Sequence, residues 1–453
     1  MSEHVTNDEG NDVASVGWII RGGTVIDRTG ERVADVAIAP DGTIAAVGST
    51  LDAAALGMGD APVLDATGCI VTSGFVDIHT HLREPGREEA ETIETGSRAA
   101  ALGGYTAVVA MPNTEPTIDS AAVVRLVLDA GRAAGLCDVR SSGSITIGRE
   151  GGALSPMAEL ADLGVRIFTD DGCGVQDDRL MRRALEYASG LSHDVVLAQH
   201  CEVEALSHGG HMHEGEWSSR LGIPGIPAEA EELMVARDIA LSRLTGASMH
   251  FQHLSTAGSV ELVRAAKAKG LPVTAEATPH HFTLTHAEVA SFDPVFKVNP
   301  PLRGADDVAA VRAGLADGTI DAIATDHAPH TRETKEAPFD AAPCGMLGLE
   351  TALALGITEL VEPGVLGMQD LLALLSWQPA AIARVGDVHG RPVEPGEPAH
   401  LTVFDPTHEW TVDPSTFASK SDNTPYAGRT VRGKVRHTLL CGVPTVRDGE
   451  ATR

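Results

Sequence analysis

The middle of this chain alternates short apolar runs with stretches of helical character, and this alternation constrains the fold more than any other feature. The apolar runs are Phe75–His79, Thr106–Met111, Val139–Ile145, Val165–Thr169, Val195–His200, Met249–His253, Pro272–Glu276 and Ala322–Asp326. Helical candidates between them are Glu88–Leu102, Ala121–Gly135, Asp177–Ala188, Ala228–Leu244 and Ser259–Lys269. Strands that alternate with helices predict a parallel sheet. Eight such units in about 260 residues predict an α/β fold of the (β/α)₈, TIM-barrel type.

The two ends of the chain have a different, β-rich texture. From Gly17 to about Ala66, strand-like pieces alternate with turns such as Asp41-Gly42, and similar pieces return near the C-terminus, at His400–Asp405 and Thr438–Cys441. Neither end is long enough to close a sheet alone, so we expect the two ends to pair into one β domain. The predicted organisation is a disordered extension at 1–16, a composite β domain from 17–70 and 385–453, and a barrel at 71–384.

Charge and composition exclude several classes of protein. The 453 residues include 63 acidic and 34 basic side chains, a net charge of −29. A nucleic-acid-binding protein needs a basic face, which this balance disfavours. No apolar run approaches the roughly 20 residues that span a bilayer, and the N-terminus lacks a signal-peptide pattern, so we expect a cytoplasmic protein. The six cysteines form no C-x-x-C pair, which is typical of reduced thiols.

Possible metal ligands stand at the ends of five of the eight predicted strands. His79 and His81 are two residues apart, and this spacing places both imidazoles on the same side of a strand. The other candidates are Asp170-Asp171, His200, His253 and Asp326. A single histidine at a strand end is more often structural. One metal site at the C-terminal rim of a barrel explains all five positions together.

Other histidines fit the same chemistry less well. His211-Met212-His213 repeats the H-x-H spelling but lies in a glycine-rich loop, so we interpret it as solvated surface. We interpret His280, His281 and His327 as structural, because each has a better placed neighbour.

Four motifs make the chain resemble the bacterial type I dihydroorotases, over about residues 17 to 445. They are Gly74–Gly86 (GFVDIHTHLREPG), Met111–Thr114 (MPNT), Lys297–Arg303 (KVNPPLR) and Ala324–His330 (ATDHAPH). Members of that family belong to the amidohydrolase superfamily, in which a β sandwich accompanies a metal-bearing barrel. The resemblance implies a zinc-dependent cyclic amide hydrolase. It would close N-carbamoyl-L-aspartate to (S)-dihydroorotate and water, reversibly, in de novo pyrimidine biosynthesis.

The resemblance also implies a metal-ligand set. His79 and His81 would bind one zinc ion, His200 and His253 a second, and Asp171 would bridge the two; one or two ions per chain remain open, with two favoured. Asp326 would be a ligand and the catalytic base, later the acid. Many members of the superfamily bridge their metals with a carboxylated lysine, but the first lysine here is Lys267, far beyond strand four. The bridging carboxylate is therefore expected from Asp171.

Substrate contacts are implied in the same way. Arg83, Asn113 and His330 match contacts to the substrate carboxylate, for which a guanidinium fork is well suited. His81, Asn299, Cys344 and Gly345 match further substrate positions. Many relatives have Phe where Cys344 stands, and we expect this thiol to be a small packing residue rather than a nucleophile.

Two alternatives stay open at this point: a related allantoinase or hydantoinase, and a catalytically inactive scaffold. The hydrolases generally lack the arginine and use the modified lysine, so Arg83 and Asp171 argue against them. The complete ligand set argues against an inactive scaffold. We expect a small-molecule substrate and neither nucleic acid nor membrane as partner, and we leave a homodimer and a complex with aspartate carbamoyltransferase open.

Overall fold

The structure is a computed structural model that describes residues 17–453, so the predicted disordered extension at 1–16 lies outside the described residues. Its strands are β1 (Trp18–Asp27), β2 (Gly30–Ile38), β3 (Ile44–Gly48), β4 (Val63–Asp65), β5 (Ile70–Ser73), β6 (Phe75–Thr80), β7 (Tyr105–Ala110), β8 (Asp138–Ser141), β9 (Ile167–Thr169), β10 (Val196–Gln199), β11 (Met212–His213), β12 (Gly225–Ile226), β13 (Met249–Phe251), β14 (Val273–Ala277), β15 (Ala322–Ile323), β16 (Leu401–Thr411), β17 (Thr430–Leu440), β18 (Val443–Arg447) and β19 (Glu450–Ala451).

The α-helices of the described part are α1 (Ile93–Leu102), α2 (Ala121–Ala134), α3 (Met157–Asp162), α4 (Asp178–Ser189), α5 (Glu204–Ser207), α6 (Glu216–Leu221), α7 (Glu229–Thr245), α8 (Ala257–Ala268), α9 (Pro279–Thr283), α10 (Ala305–Ala316), α11 (Arg332–Lys335), α12 (Ala352–Gly356), α13 (Met368–Leu375) and α14 (Trp377–Ile382). Short 3₁₀ turns occupy Ile147–Arg149, His286–Ser291, Pro294–Phe296 and Pro414–Thr416, and a π turn occupies Ile357–Val361.

The central strands are parallel and lie in two sheets. Strands β6, β7 and β8 form one sheet, and β9, β10, β13, β14 and β15 form the other in that spatial order. Two isolated parallel bridges, Gly143–Phe168 and Thr80–His327, connect the sheets on both sides. A strand forms within each of the eight predicted runs, which confirms a mixed α/β fold with parallel strands.

Both ends of the chain contribute to a single nine-stranded sheet. Its main order is β19-β18-β17-β16-β5-β1-β2-β3, and β4 pairs with β1. The join between the chain ends is antiparallel, with Leu401 opposite Ser73 and Phe404 opposite Ile70. The expected pairing of the two ends therefore occurs through β5 and β16.

The first helix of the central region starts later than the sequence predicts. A helix from Glu88 was expected, but α1 begins at Ile93. The Thr92 hydroxyl accepts a hydrogen bond from the backbone N–H of Thr95 and caps the helix. Residues 88–91 are consequently free to form part of a loop beside the strand ends.

An aromatic cluster joins the nine-stranded sheet to the first parallel strands. Phe75, Tyr105 and Phe404 are fully buried. The ring centroids of Phe75 and Tyr105 are 5.7 Å apart, and those of Phe75 and Phe404 are 6.4 Å apart. Such contacts add to the free energy gained by burying the rings.

Among the helices of residues 17–453, none combines the length and the apolar composition that a membrane span requires.

We predict that Phe404→Ala lowers the free energy of unfolding by about 3–5 kcal/mol, because it leaves a cavity between the nine-stranded sheet and the first parallel strands. The midpoint of urea unfolding measures this effect. Phe292→Ala is the matched control, because Phe292 is 49% exposed, and it should change stability by no more than about 0.5 kcal/mol. Equal losses in both variants would show that the junction does not depend on this ring.

Candidate metal centre

Six potential ligands lie together where the parallel strands end. His79 lies within β6, and the other five follow the strands β6, β9, β10, β13 and β15. All of them are buried, and each residue is at most 6% exposed: His79, His81, Asp171, His200, His253 and Asp326. The structure thus brings together every residue that the sequence placed in the metal site.

Asp171 lies between the histidines, and its two carboxylate oxygens face different ones. Its Oδ1 is 3.3 Å from His79 Nε2 and 3.8 Å from His253 Nε2, while its Oδ2 is 3.6 Å from His81 Nε2. His200 Nδ1 is 3.9 Å from the same Oδ1. Two groups have ligand atoms close enough for one ion: His79 with Asp171 and His253, and His79 with His81 and Asp326.

The donor atoms of the first two histidines fit a metal. His79 donates its Nδ1–H to Glu276 Oε1 at 2.6 Å, and its buried Nε2 has no hydrogen-bond partner in the described part of the chain. His81 Nδ1 lies 2.8 Å from Asn113 Oδ1, and its Nε2 lies 2.9 Å from Asp326 Oδ1. A cation bound to the unpaired His79 Nε2 would remove the cost of burying that atom without a partner.

Charges in the cluster respond to one another. Burial lowers the pKa of His79, but Asp171 and Glu276 outweigh it and hold that pKa well above its usual range. Burial raises the pKa of Asp171, but the neighbouring imidazoles hold it well below its usual range. Burial also raises the pKa of Asp326, but the hydrogen bond with His81 and the charge of His79 outweigh burial and lower this pKa below its usual range. The cluster therefore favours ionised carboxylates beside a positive charge.

The sequence did not single out Glu276, although it orients His79. Its second oxygen lies 2.9 Å from His250 Nε2, and His250 Nδ1 lies 2.8 Å from Thr274 Oγ1. The available signal was an ionisable residue inside an otherwise apolar run, at the end of β14. Carboxylate–histidine pairs of this kind fix the imidazole orientation at metal sites.

A cavity of about 350 Å³ opens onto this cluster. Its walls contain five of the six ligands and all the predicted substrate contacts, which are His81, Arg83, Asn113, Asn299, His330, Cys344 and Gly345. Five cavity residues were not predicted, namely Arg87, Gly172, Val298, Ala328 and Pro343. Arg87 stands four residues beyond Arg83 in the loop between β6 and α1, and this closeness in sequence was the signal available for it.

Arg83 is 7% exposed, and its guanidinium contacts one backbone carbonyl and one side chain on the cavity wall. Its Nε donates to the Pro329 carbonyl at 3.0 Å, and its Nη2 is 3.2 Å from His330 Nε2. Burial, followed by the charge of Arg87, lowers its pKa to about 10. Arg83 therefore stays cationic at neutral pH and suits an anionic ligand.

The remaining predicted contacts differ in what they can offer. Asn113 uses its oxygen on His81 and donates Nδ2–H to Asp171 at 3.3 Å. Asn299 Oδ1 is buried without a hydrogen-bond partner in the described residues, so it can receive a bond from a ligand. A side chain at Gly345 would meet His330 Nε2 and Ala328 Cβ at 2.8 Å, so only glycine fits there.

Two interpretations of the sequence need correction. Cys344 is not a packing residue, because its side chain is exposed on the cavity wall. His211 and His213 are not simply solvated surface, because β11 buries the intervening Met212 and His213 Nδ1 lies 3.1 Å from Arg303 Nη1. The imidazole of His213 lies outside the cavity lining, as expected for a residue without a part in the metal centre.

Comparisons with known proteins find close relatives and a shared fold. A family model described as "Dihydro-orotase-like" matches residues 68–259. A dihydroorotase from Streptomyces coelicolor is 49% identical over 96% of this chain and 99% of its own length. One from Mycobacterium tuberculosis is 51% identical over 93% and 96%.

Among solved structures, a dihydropyrimidinase from Brevibacillus agri has a TM-score of 0.82 at 24% identity, covering 96% of each chain. An L-hydantoinase from Arthrobacter aurescens has a TM-score of 0.84 at 23% identity, covering 96% of this chain and 97% of that one. At this level of identity, the structural likeness shows the fold.

We predict that Glu276→Gln weakens metal affinity by about 10- to 100-fold, because His79 loses its charged orienting partner. Metal retained during titration with a chelator measures this change. Glu288→Gln is the control, because Glu288 is exposed on the turn at His286–Ser291. Unchanged affinity in Glu276→Gln would contradict the role assigned to Glu276.

Proposed function

Since the chain belongs to the dihydroorotase family of the amidohydrolase superfamily, we propose that the cavity described above interconverts N-carbamoyl-L-aspartate and (S)-dihydroorotate. Dihydroorotase function rests on relatives at about 50% identity over most of the chain. One structural observation carries the assignment of the site: a buried arginine and a group of metal-binding side chains share one small cavity. The first suits the carboxylate of dihydroorotate, and the second suits its amide.

The architecture we propose is a closed (β/α)₈ barrel at 71–384 beside a β sandwich from 17–70 and 385–453. The bridges Gly143–Phe168 and Thr80–His327 support closure, because they lie at the two gaps between the parallel sheets. The antiparallel pairing of β5 with β16 supports a domain built from both chain ends.

The metal we propose is zinc, in two positions. His79 and His81 would hold one ion, His200 and His253 the other, with Asp171 as the bridge and Asp326 as a further ligand. A bridging role is supported by the contacts of Asp171 with both pairs, since Oδ2 faces His81 of the first pair and Oδ1 faces His253 and His200 of the second. When bound, zinc lowers the pKa of water towards about 7 and polarises the carbonyl under attack.

The side chains of the chain itself bind the substrate and move the proton. Arg83 grips the substrate carboxylate with its Nη groups, of which Nη2 also contacts His330 Nε2 at 3.2 Å, and His330 and Asn113 flank it. Asn299, Cys344 and Gly345 face the pyrimidine ring. In ring opening, Asp326 takes a proton from the attacking water and gives it to the departing ring nitrogen. Ring closure uses the same groups in reverse, so a single carboxylate serves as base and acid.

The setting we propose is cytoplasmic pyrimidine biosynthesis with a small-molecule substrate. A homodimer, or a complex with aspartate carbamoyltransferase, would be detected by light scattering of the chain alone and after mixing.

The direct test is turnover of dihydroorotate and of N-carbamoyl-L-aspartate, with metal content measured on the same sample. We expect turnover in both directions and bound zinc. A metal-loaded protein that hydrolyses hydantoin or allantoin but not dihydroorotate would overturn the proposal. A protein with metal and no turnover of any of these would support an inactive scaffold.

We predict that Asp326→Asn reduces kcat by about 10²-fold or more, because the amide cannot shuttle the proton. Most of the zinc should remain bound, since the histidines are intact, and elemental analysis checks this. Asp306→Asn, at an exposed position in α10, should retain normal turnover. Near-normal turnover in Asp326→Asn would remove Asp326 from the proton path.

We predict that Arg83→Met reduces kcat/KM for dihydroorotate by about 10²-fold or more, and far less for the neutral dihydrouracil. Only dihydroorotate carries the carboxylate that the guanidinium binds. Steady-state kinetics on the two compounds measure the difference. Equal losses on both would assign Arg83 a structural role instead.

A further inference from the structure

Residues 419–423, in the C-terminal region, form hydrogen bonds with two separate parts of the backbone around the cavity. We call these residues the clamp segment. Ser419 donates its hydroxyl hydrogen to Glu91, the backbone N–H of Lys420 donates to the same carboxylate, and Ser421 donates to the Ala90 carbonyl at 2.8 Å. These bonds attach the segment to the far end of the loop that carries Arg83.

Asn423 attaches the clamp segment to the opposite part of the wall. Its side chain is 4% exposed and makes three hydrogen bonds. Oδ1 accepts the backbone N–H of His330 at 3.1 Å, while Nδ2 donates to the carbonyls of Ala328 and Gly345 at 3.0 and 3.1 Å. One backbone donor and two carbonyl acceptors fix which way the amide points.

The backbone that Asn423 holds is the backbone that orients Arg83. Pro329 lies between Ala328 and His330, which are both bonded by Asn423. Its carbonyl accepts a hydrogen bond from Arg83 Nε at 3.0 Å. His330 Nε2 lies 2.7 Å from the Cys344 carbonyl, next to Gly345. A shift of this backbone would therefore move the acceptor of Arg83 together with His330 and Gly345.

We propose that Asn423 is a positioning residue that sets the affinity for the substrate carboxylate by fixing the 328–330 and 345 backbone around Arg83 and His330. This inference rests on the proposed function of the cavity. Asn423 does not line the cavity, so it acts through these residues and contacts no substrate. The side-chain hydrogen bonds of Asn423 go to Ala328, His330 and Gly345, none of which is a metal ligand, so we expect the metal to stay bound without the amide.

The amide is the group that satisfies this position. Alanine would leave two carbonyls and one N–H unpaired in a buried place. Aspartate would still accept from His330 but would direct a carboxylate oxygen at the carbonyls of Ala328 and Gly345. We therefore expect Asn423→Asp to be more damaging than Asn423→Ala, although the change in shape is smaller.

The experiment compares wild type, Asn423→Ala, Asn423→Asp and Thr424→Ala. Thr424 is the matched control, because it is equally buried and its hydroxyl accepts the Tyr426 N–H just beyond the clamp segment. Measured quantities are kcat and KM for dihydroorotate, the inhibition constant of orotate, which is also a carboxylate, and the metal content.

For Asn423→Ala we expect KM and the orotate inhibition constant to rise about tenfold, with kcat within about threefold of wild type and full metal content. Asn423→Asp should raise both constants further, and Thr424→Ala should leave them unchanged. If Asn423→Ala does not fold, Asn423→Ser, which keeps one hydrogen bond, should show a smaller rise.

Three results would overturn the inference: an unchanged KM, a fall in kcat without a rise in KM, or loss of metal. Equal effects in Thr424→Ala would also overturn it, because they would indicate general damage to the segment. A wild-type protein without turnover of dihydroorotate would instead contradict the proposed function, and orotate binding would still test Asn423.

Discussion

The centre of this molecule depends on burying three carboxylates among histidines. Asp171, Asp326 and Glu276 are each no more than 5% exposed, and removing an ionised carboxylate from water is costly unless positive charge compensates it. His79 touches all three carboxylates, through Nδ1 on one side and Nε2 on the other. The imidazole supplies part of the compensation, and a bound metal ion would supply more. His250 adds to it on the far side of Glu276, where its Nε2 lies 2.9 Å from Oε2.

The residues nearest the chemistry could be predicted because they obey local rules. The two-residue spacing places His79 and His81 on the same side of the chain where β6 ends, and five of the eight runs lead directly into ligand residues. Four of the five predicted helices agree within one or two residues with α2, α4, α7 and α8 for the same reason. The start of α1 was missed because the cap at Thr92 makes 88–91 a loop, although those residues look helical.

What could not be predicted depends on contacts between distant parts of the chain. Glu276 becomes meaningful only when β14 lies beside β13 and its carboxylate reaches both His250 and His79. Cys344 was predicted to be a small packing residue, because the sequence around it gives no sign that it faces the cavity. Asn423 is 78 to 95 residues beyond the backbone groups it binds, in a segment with no ligand-type pattern.

The antiparallel contact between β5 and β16 also has a consequence for biosynthesis. While β5 pairs with β1 on one side, its other edge has no strand until Leu401–Phe404 has been made. At about 5–20 residues per second, a ribosome takes on the order of tens of seconds to cover that distance. During this interval the nascent chain presents an unpaired edge of buried, apolar character, the kind of surface that recruits neighbouring chains. Completion of the fold therefore waits for about the last eighth of translation, and so does protection from aggregation.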